Sequence, residues 1–222
     1  KIKTSSTSSL LSTRPPLVTS GMPYPLVATA PHPDPIPVWP SSFAASMVET
    51  TWYGSSMQRH NGSVAYRWGS GGADAAEVIT RSISLLNPIC NGARPNRTTP
   101  CLHHVHGATR FLVWPTESEC CVHCTSDCGV LTPTWVTAVP NYYIGRREIG
   151  GASCDEWYLH SGTPDRVATQ VESGALCEVY DGGAGFTGDN PFQWSIDPES
   201  YSTTPTAEEL ALPAACVGAA KC

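Results

Sequence analysis

Ten cysteines in 222 residues constrain this chain more than any other feature: Cys90, Cys101, Cys120, Cys121, Cys124, Cys128, Cys154, Cys177, Cys216 and Cys222. An even number of thiols at this density reads as a disulfide framework made in an oxidising compartment, which argues against the cytosol. Connectivity does not follow from sequence, since ten thiols allow on the order of a thousand pairings. The expectation goes only as far as Cys216 bonding near the C-terminus or Cys222 stapling the tail. Cys101, His103, His104, His106, Cys120, Cys121, His123, Cys124 and Cys128 also have the ligand types and spacing of a zinc site. In a secreted chain, however, such thiols pair with one another, so neither metal nor cofactor is expected.

Other signals agree with secretion. The sequence begins at Lys1 with neither Met nor an apolar leader, which reads as the product of signal-peptide removal. Asn61-Gly62-Ser63 and Asn96-Arg97-Thr98 are acceptor sequons for covalent glycans. Charged residues make up 14% and the formal net charge is −6, so a basic nucleic-acid footprint is absent. No run approaches the roughly 18 to 20 apolar residues of a membrane-spanning helix. The chain reads as soluble and extracellular, its polarity drawn from Ser, Thr, Asn, Gly and sugars.

Residues 1–38 differ from the rest. Lys1 to Ser20 is dominated by Ser and Thr, and from Pro15 onward prolines recur up to Pro40. Proline fixes φ and removes an amide donor, so this arm runs extended and not helical. Its sizeable apolar groups are Leu17, Val18, Tyr24, Leu26, Val27, Ile36, Val38 and Trp39. Burying six of them gains free energy of the same order as the entropy of ordering the backbone that carries them. Docking therefore needs backbone hydrogen bonds too, as an open sheet edge supplies. The stiff link at Pro37 to Pro40 is expected to point the arm away from its own domain, towards another copy.

Residues 39–222 read as one disulfide-rich antiparallel β domain. Candidate strands are Phe43 to Tyr53, Ser63 to Trp68, Ala76 to Ile83, Thr109 to Trp114, Cys120 to Cys124, Tyr142 to Glu148, Ser153 to Leu159, Arg166 to Glu172, Leu176 to Tyr180 and Phe192 to Ile196. Helix is expected only at Thr132 to Ala138 and at Thr206 to Leu212, where Thr206 precedes Glu208 and Glu209. Catalytic patterns are lacking. There is no Gly-x-Ser-x-Gly, and Asp155 and Glu156, adjacent on a strand, point to opposite faces and cannot act on one bond. The Gly-rich run Asp181 to Asp189 reads as a hairpin loop, calcium being the lesser reading. Trp39, Trp52, Trp68, Trp114, Trp135, Trp157 and Trp194 read as core, or as the lining of an apolar cleft if several share one concave face.

Several short motifs together resemble the ependymin-related domain of secreted proteins. These are Trp39-Pro40-Ser41-Ser42-Phe43, Cys120-Cys121, Pro133-Thr134-Trp135, Tyr143-x-Gly145, Ile149-x-Gly151, Cys154-x-x-Trp157, Gly162-Thr163-Pro164 and Leu212-Pro213-Ala214-Ala215-Cys216 through to Cys222. The resemblance implies a strongly curved antiparallel sheet, a half-barrel similar to bacterial lipoprotein carriers, with a hydrophobic cleft and no catalysis. The arm and the stretch from Cys90 to His106 are additions to that pattern. Two functions follow as expectations: a structural subunit that joins other copies head to tail through its arm, or a half-barrel that holds a lipid or other apolar ligand in a Trp-lined cleft.

Overall fold

The computed structural model describes residues 36–53, 56–69, 74–125, 128–160, 164–182 and 191–222. They form one open, curved, wholly antiparallel sheet of eleven strands. In chain order these are β1 (Ser42–Tyr53), β2 (Ser56–Arg67), β3 (Ala76–Arg81), β4 (Cys101–His106), β5 (Thr109–Trp114), β6 (Glu119–Cys124), β7 (Asn141–Ile149), β8 (Ala152–His160), β9 (Pro164–Gln170), β10 (Leu176–Asp181) and β11 (Phe192–Ile196). The spatial order is β6-β5-β4-β3-β2-β1-β11-β10-β9-β8-β7. Two meanders, β1 to β6 and β7 to β11, thus meet where β1 pairs with β11, Met47 opposite Ile196 and Thr51 opposite Phe192.

Turn chemistry sets the registers. Gly150 and Gly151, at φ +58° and +84°, join Ile149 to Ala152 in a two-residue turn of the I′ kind, whose twist matches that of the flanking strands. Gly62 is required for a different reason: a Cβ there would lie 2.5 Å from the Thr80 carbonyl on the neighbouring strand.

Alternation divides the side chains between two faces. One, the core face, carries Phe43, Ala45 and Met47 of β1, Val64 and Tyr66 of β2, Ile79 of β3, Val105 of β4, Val167, Val179, Trp194 and Ile196. Between edge strands β6 and β7, residues 128–140 lay Val130, Val136 and Trp135 onto this cluster. The Tyr66 hydroxyl donates to the Leu131 carbonyl and anchors that segment. It includes α2 (Trp135–Ala138), within the expected helical turn.

At the β4–β6 end the core face is covered by α1 (Pro88–Ala93), a helix the sequence reading lacks. Asn87 caps it, its side chain accepting from the Cys90 amide at 2.9 Å, and Pro88 occupies the first turn, where its missing N–H costs nothing. β4 is also missing from the expected strands. Its Cys/His composition suggests ligands, whereas Cys101, His103 and Val105 alternate as buried strand residues. β2 begins at Ser56, not Ser63, because residues 56–62 pair with β1 alone along most of their length. Conversely, Thr206 to Leu212 forms turns and no helix. Thr206 and Glu209 still cap each other reciprocally, but Pro213 follows too soon for a helix to propagate.

The opposite, outer face of β1 to β6 is covered by residues 197–222. Leu210 packs on Ala44, Ala65 and Val78, and Leu212 and Cys216 pack on Phe111 and Val113. No helix among the described residues is long and apolar enough to cross a membrane.

Candidate functional site

All ten cysteines are paired: Cys90–Cys101, Cys120–Cys216, Cys121–Cys222, Cys124–Cys128 and Cys154–Cys177. Cys216 and Cys222 both staple the tail. Because their sulfurs bond to each other, none of these residues is a thiolate ligand. Among the described residues the one candidate group is Cys90, Cys101 and His103, whose two sulfurs form a disulfide. His103 Nε2 lies 3.1 Å from Asn87 Oδ1, and burial holds the imidazole neutral by lowering its pKa well below the usual range.

The two edges of the sheet differ. Cys120 sits on the outer face of β6 and Cys121 on its core face, so their bonds carry the tail round the edge strand. There the Val122 amide donates to the Ala220 carbonyl at 2.8 Å and the Cys222 amide to the Val122 carbonyl at 3.0 Å. The last residues therefore satisfy the outward amide and carbonyl of Val122 and cover the middle of that edge. At the other end, β8 is the one described strand paired with β7. Tyr142 and Ile144 of β7 are 61% and 39% exposed. A bulge between Tyr143 and Gly145 twists the strand there.

Ion pairs brace this edge from both faces. On the core face, Asp155 accepts from Arg146 Nε at 2.9 Å and from the Tyr143 hydroxyl at 2.8 Å. The Arg146 bond lowers the Asp155 pKa, while burial and the same Asp155 raise that of Tyr143. On the outer face Arg147 bridges Glu156 and Glu178, and Arg166 bonds Glu156 and stacks over Tyr180 at 4.5 Å. Asp155 and Glu156 thus serve opposite faces, as their adjacency requires.

The root of the arm lies beside this edge. Ile36, Pro37 and Val38 line a cavity of about 470 Å³ with Arg146, Asp155, Trp157 and Thr169. Residues 36–39 of the link rest against their own domain, and Trp39, 1% exposed, packs edge-on against Phe43, Tyr66 and Trp135. The direction of the arm beyond them lies outside the described residues. Trp39 is core, Ile36 is half-buried and Val38 is exposed. Leu17, Val18, Tyr24, Leu26 and Val27 lie outside the described residues, as does most of the Asp181 to Asp189 run. Asn61 and Asn96 are both exposed, Asn96 at the positive φ of 64°.

The tryptophans are chiefly core: Trp39, Trp114, Trp157 and Trp194 are buried. The sequence reading misses what Trp194 does. Its indole donates to Glu49 Oε2 at 3.1 Å, and Glu49, 2% exposed on the core face, also accepts from Arg81 Nε at 3.1 Å and Nη2 at 3.0 Å. Burial alone would raise the Glu49 pKa, but Arg81 and neighbouring His60 bring it down to about 2. Strand alternation from Phe43 is the available signal, since it puts Glu49 on the apolar face.

The geometry defines a class: an open antiparallel sheet locked by five disulfides, with one edge strand bonded to the chain's own tail and the other, among the described residues, paired on one side alone. No protein-family model matches the chain, and no curated protein does. Among solved structures the chain is similar to MucB in the Pseudomonas aeruginosa MucA/MucB complex, at a TM-score of 0.40 and 12% identity, covering 79% of this chain and 56% of that one. An uncharacterized conserved protein from Thermus thermophilus gives 0.45 at 6% identity, covering 81% and 89%. A LolA superfamily protein from Nitrosomonas europaea gives 0.33 at 9%, covering 79% and 91%. The chain spans less than two thirds of MucB.

Proposed function

We propose that this protein is a secreted, extracellular structural subunit, without catalytic activity, that joins other copies when the arm of one lies along the β7 edge of the next. The observation that carries this reading is the asymmetry of the two edges. The tail bonds to Val122 in the middle of β6, whereas β7, nine residues long, is paired among the described residues with β8 alone and exposes Tyr142 and Ile144. Pro16-Leu17-Val18-Thr19 and Pro25-Leu26-Val27-Ala28-Thr29 have the extended, β-branched character that suits strand addition.

Length allows the arm to reach a neighbour. Residues 1–35 span on the order of 100 Å when extended, several times the roughly 30 Å of a nine-residue strand. An arm on a neighbour's edge makes a heterologous contact, which propagates head to tail. The resemblance of residues 39–222 to ependymin-related domains, the five disulfides and the two exposed sequons support a glycosylated, extracellular setting.

The test is sedimentation of the full chain against a form lacking residues 1–35, which leaves Ile36 to Trp39 in place. The full chain should assemble, whereas the truncated form and an Ile144→Pro variant should both stay monomeric with their disulfides intact. If truncated and full chains assemble alike, or neither does, the arm is not the connector. An apolar ligand held beside Trp157 then becomes the better reading.

A further inference from the structure

The outer face of the sheet holds a cavity of about 490 Å³ between β1 to β4 and the covering tail, on the face away from the packed core. That volume is within the range of small-ligand sites. Its floor includes the small side chains Ala44, Ala65 and Val78, against which Leu210 of the tail also packs, and the space lies beside that contact. Hydroxyls surround it, from Ser63 and Thr80 on the strands to Thr204 and Thr206 on the tail. Neither lysine nor arginine lines it, and Glu208 and Glu209 stand at its rim, so it disfavours anions.

His104 supplies an independent pointer. It lines the cavity and is 1% exposed, yet its Nε2 has no hydrogen-bond partner. A buried polar atom without a partner is costly, and a ligand that bonds it recovers that cost. Burial, with a smaller effect from His106, brings its pKa down to about 4, so near neutrality the ring is uncharged and can donate or accept. His104, Glu208 and Glu209 do not converge as a metal-ligand group. The matching chemistry is a neutral molecule with alternating hydroxyls and C–H faces.

Asn61 identifies a source. It is exposed on the same outer face, two residues along β2 from Ser63, which both lines the cavity and completes the sequon. Two residues of strand are about 7 Å, the reach of one sugar ring. We propose that this cavity binds a saccharide unit through His104 and the surrounding hydroxyls, supplied by a glycan on Asn61 or by a separate glycan chain.

The experiment uses full chain from an oxidising eukaryotic host, as wild type and as Asn61→Gln, titrated with the N-acetylglucosamine disaccharide that begins an N-linked glycan. Imidazole NMR of His104 and calorimetry are the readouts. For Asn61→Gln the disaccharide should shift the His104 resonances, and Thr204→Trp, an exposed rim residue, should weaken binding at least tenfold. Wild type that binds only after its glycan is removed assigns the site to the Asn61 glycan, and wild type that binds equally well assigns it to a separate chain. Saturating disaccharide that leaves His104 unshifted in both proteins, or shifts residues only elsewhere, overturns the proposal. Because the readout is local to His104, Thr204→Trp is dispensable should it fold poorly.

Discussion

Cys120 and Cys121 are consecutive in β6 yet face opposite sides of the sheet, and each is bonded to the tail, with Cα separations of 5.1 Å to Cys216 and 5.0 Å to Cys222. The two bonds hold one edge strand from above and below, so the tail cannot leave without exposing the Val122 backbone.

Removing the outer bond, as Cys120→Ser with Cys216→Ser, should cost about 2 kcal/mol, since with Cys121–Cys222 intact it closes only a short additional loop. Denaturant unfolding measures this. With the arm deleted from both, the variant should also associate at concentrations where its parent does not, because the β6 edge loosens. Unchanged stability would show that the Cys121–Cys222 bond alone holds the tail.

Glu49→Gln should destabilise by about 3 to 5 kcal/mol in denaturant unfolding, because it leaves the Arg81 guanidinium, almost fully buried, without its counter-charge. A folded-state pKa below the ordinary carboxylate value means that Glu49 stabilises fully above pH 4.5 and loses that contribution as pH falls towards 2. The variant should lose this part of the acid sensitivity. A loss under about 1 kcal/mol would mean that water reaches Arg81.

His104 titrates in the opposite sense for its charge but with the same outcome in acid. Its folded pKa of about 4 lies below the usual 6.5, so the unfolded chain takes up the proton first and stability falls as pH drops from 6.5 to 4. The total is on the order of 3 kcal/mol. His103, also held neutral by burial, adds a loss of the same sign. His104→Gln should flatten the stability profile over that window, and an unaltered profile would show that His104 is hydrated.

Deleting residues 1–35 should leave the unfolding midpoint of the domain within a few degrees. Trp39→Ala, by contrast, should cost about 3 to 5 kcal/mol, because its ring is packed among Phe43, Tyr66 and Trp135. Equal losses from the two changes would place the arm in the folding core.

Local patterning made much of this fold legible. Thr109 to Trp114 and Phe192 to Ile196 coincide with their strands, the first as a short aromatic and aliphatic run buried on both faces and the second as an alternation of apolar and polar residues. β4 was hidden because cysteine and histidine carry chemical meanings that mask their pattern, and α1 because six residues are too few for helical periodicity. The site was less legible than the sheet. Glu49 meets Arg81 across 32 positions and Trp194 across 145, a relation made by strand order and not by spacing. That the tail would bond to β6 likewise depended on the cystine pairing, which sequence leaves open.

The junction of the two meanders also dictates an order of biogenesis. β1 hydrogen-bonds to β11, so a strand made early must wait, with one side unpaired, until about 150 residues later its partner is synthesised. Cys90 and Cys101 can find each other while the chain is still growing, whereas Cys120 and Cys121 must stay reduced, or pair wrongly, until Cys216 and Cys222 arrive. Production of this protein is accordingly governed by thiol–disulfide exchange late in folding, and a disulfide isomerase should raise its yield more than faster oxidation does.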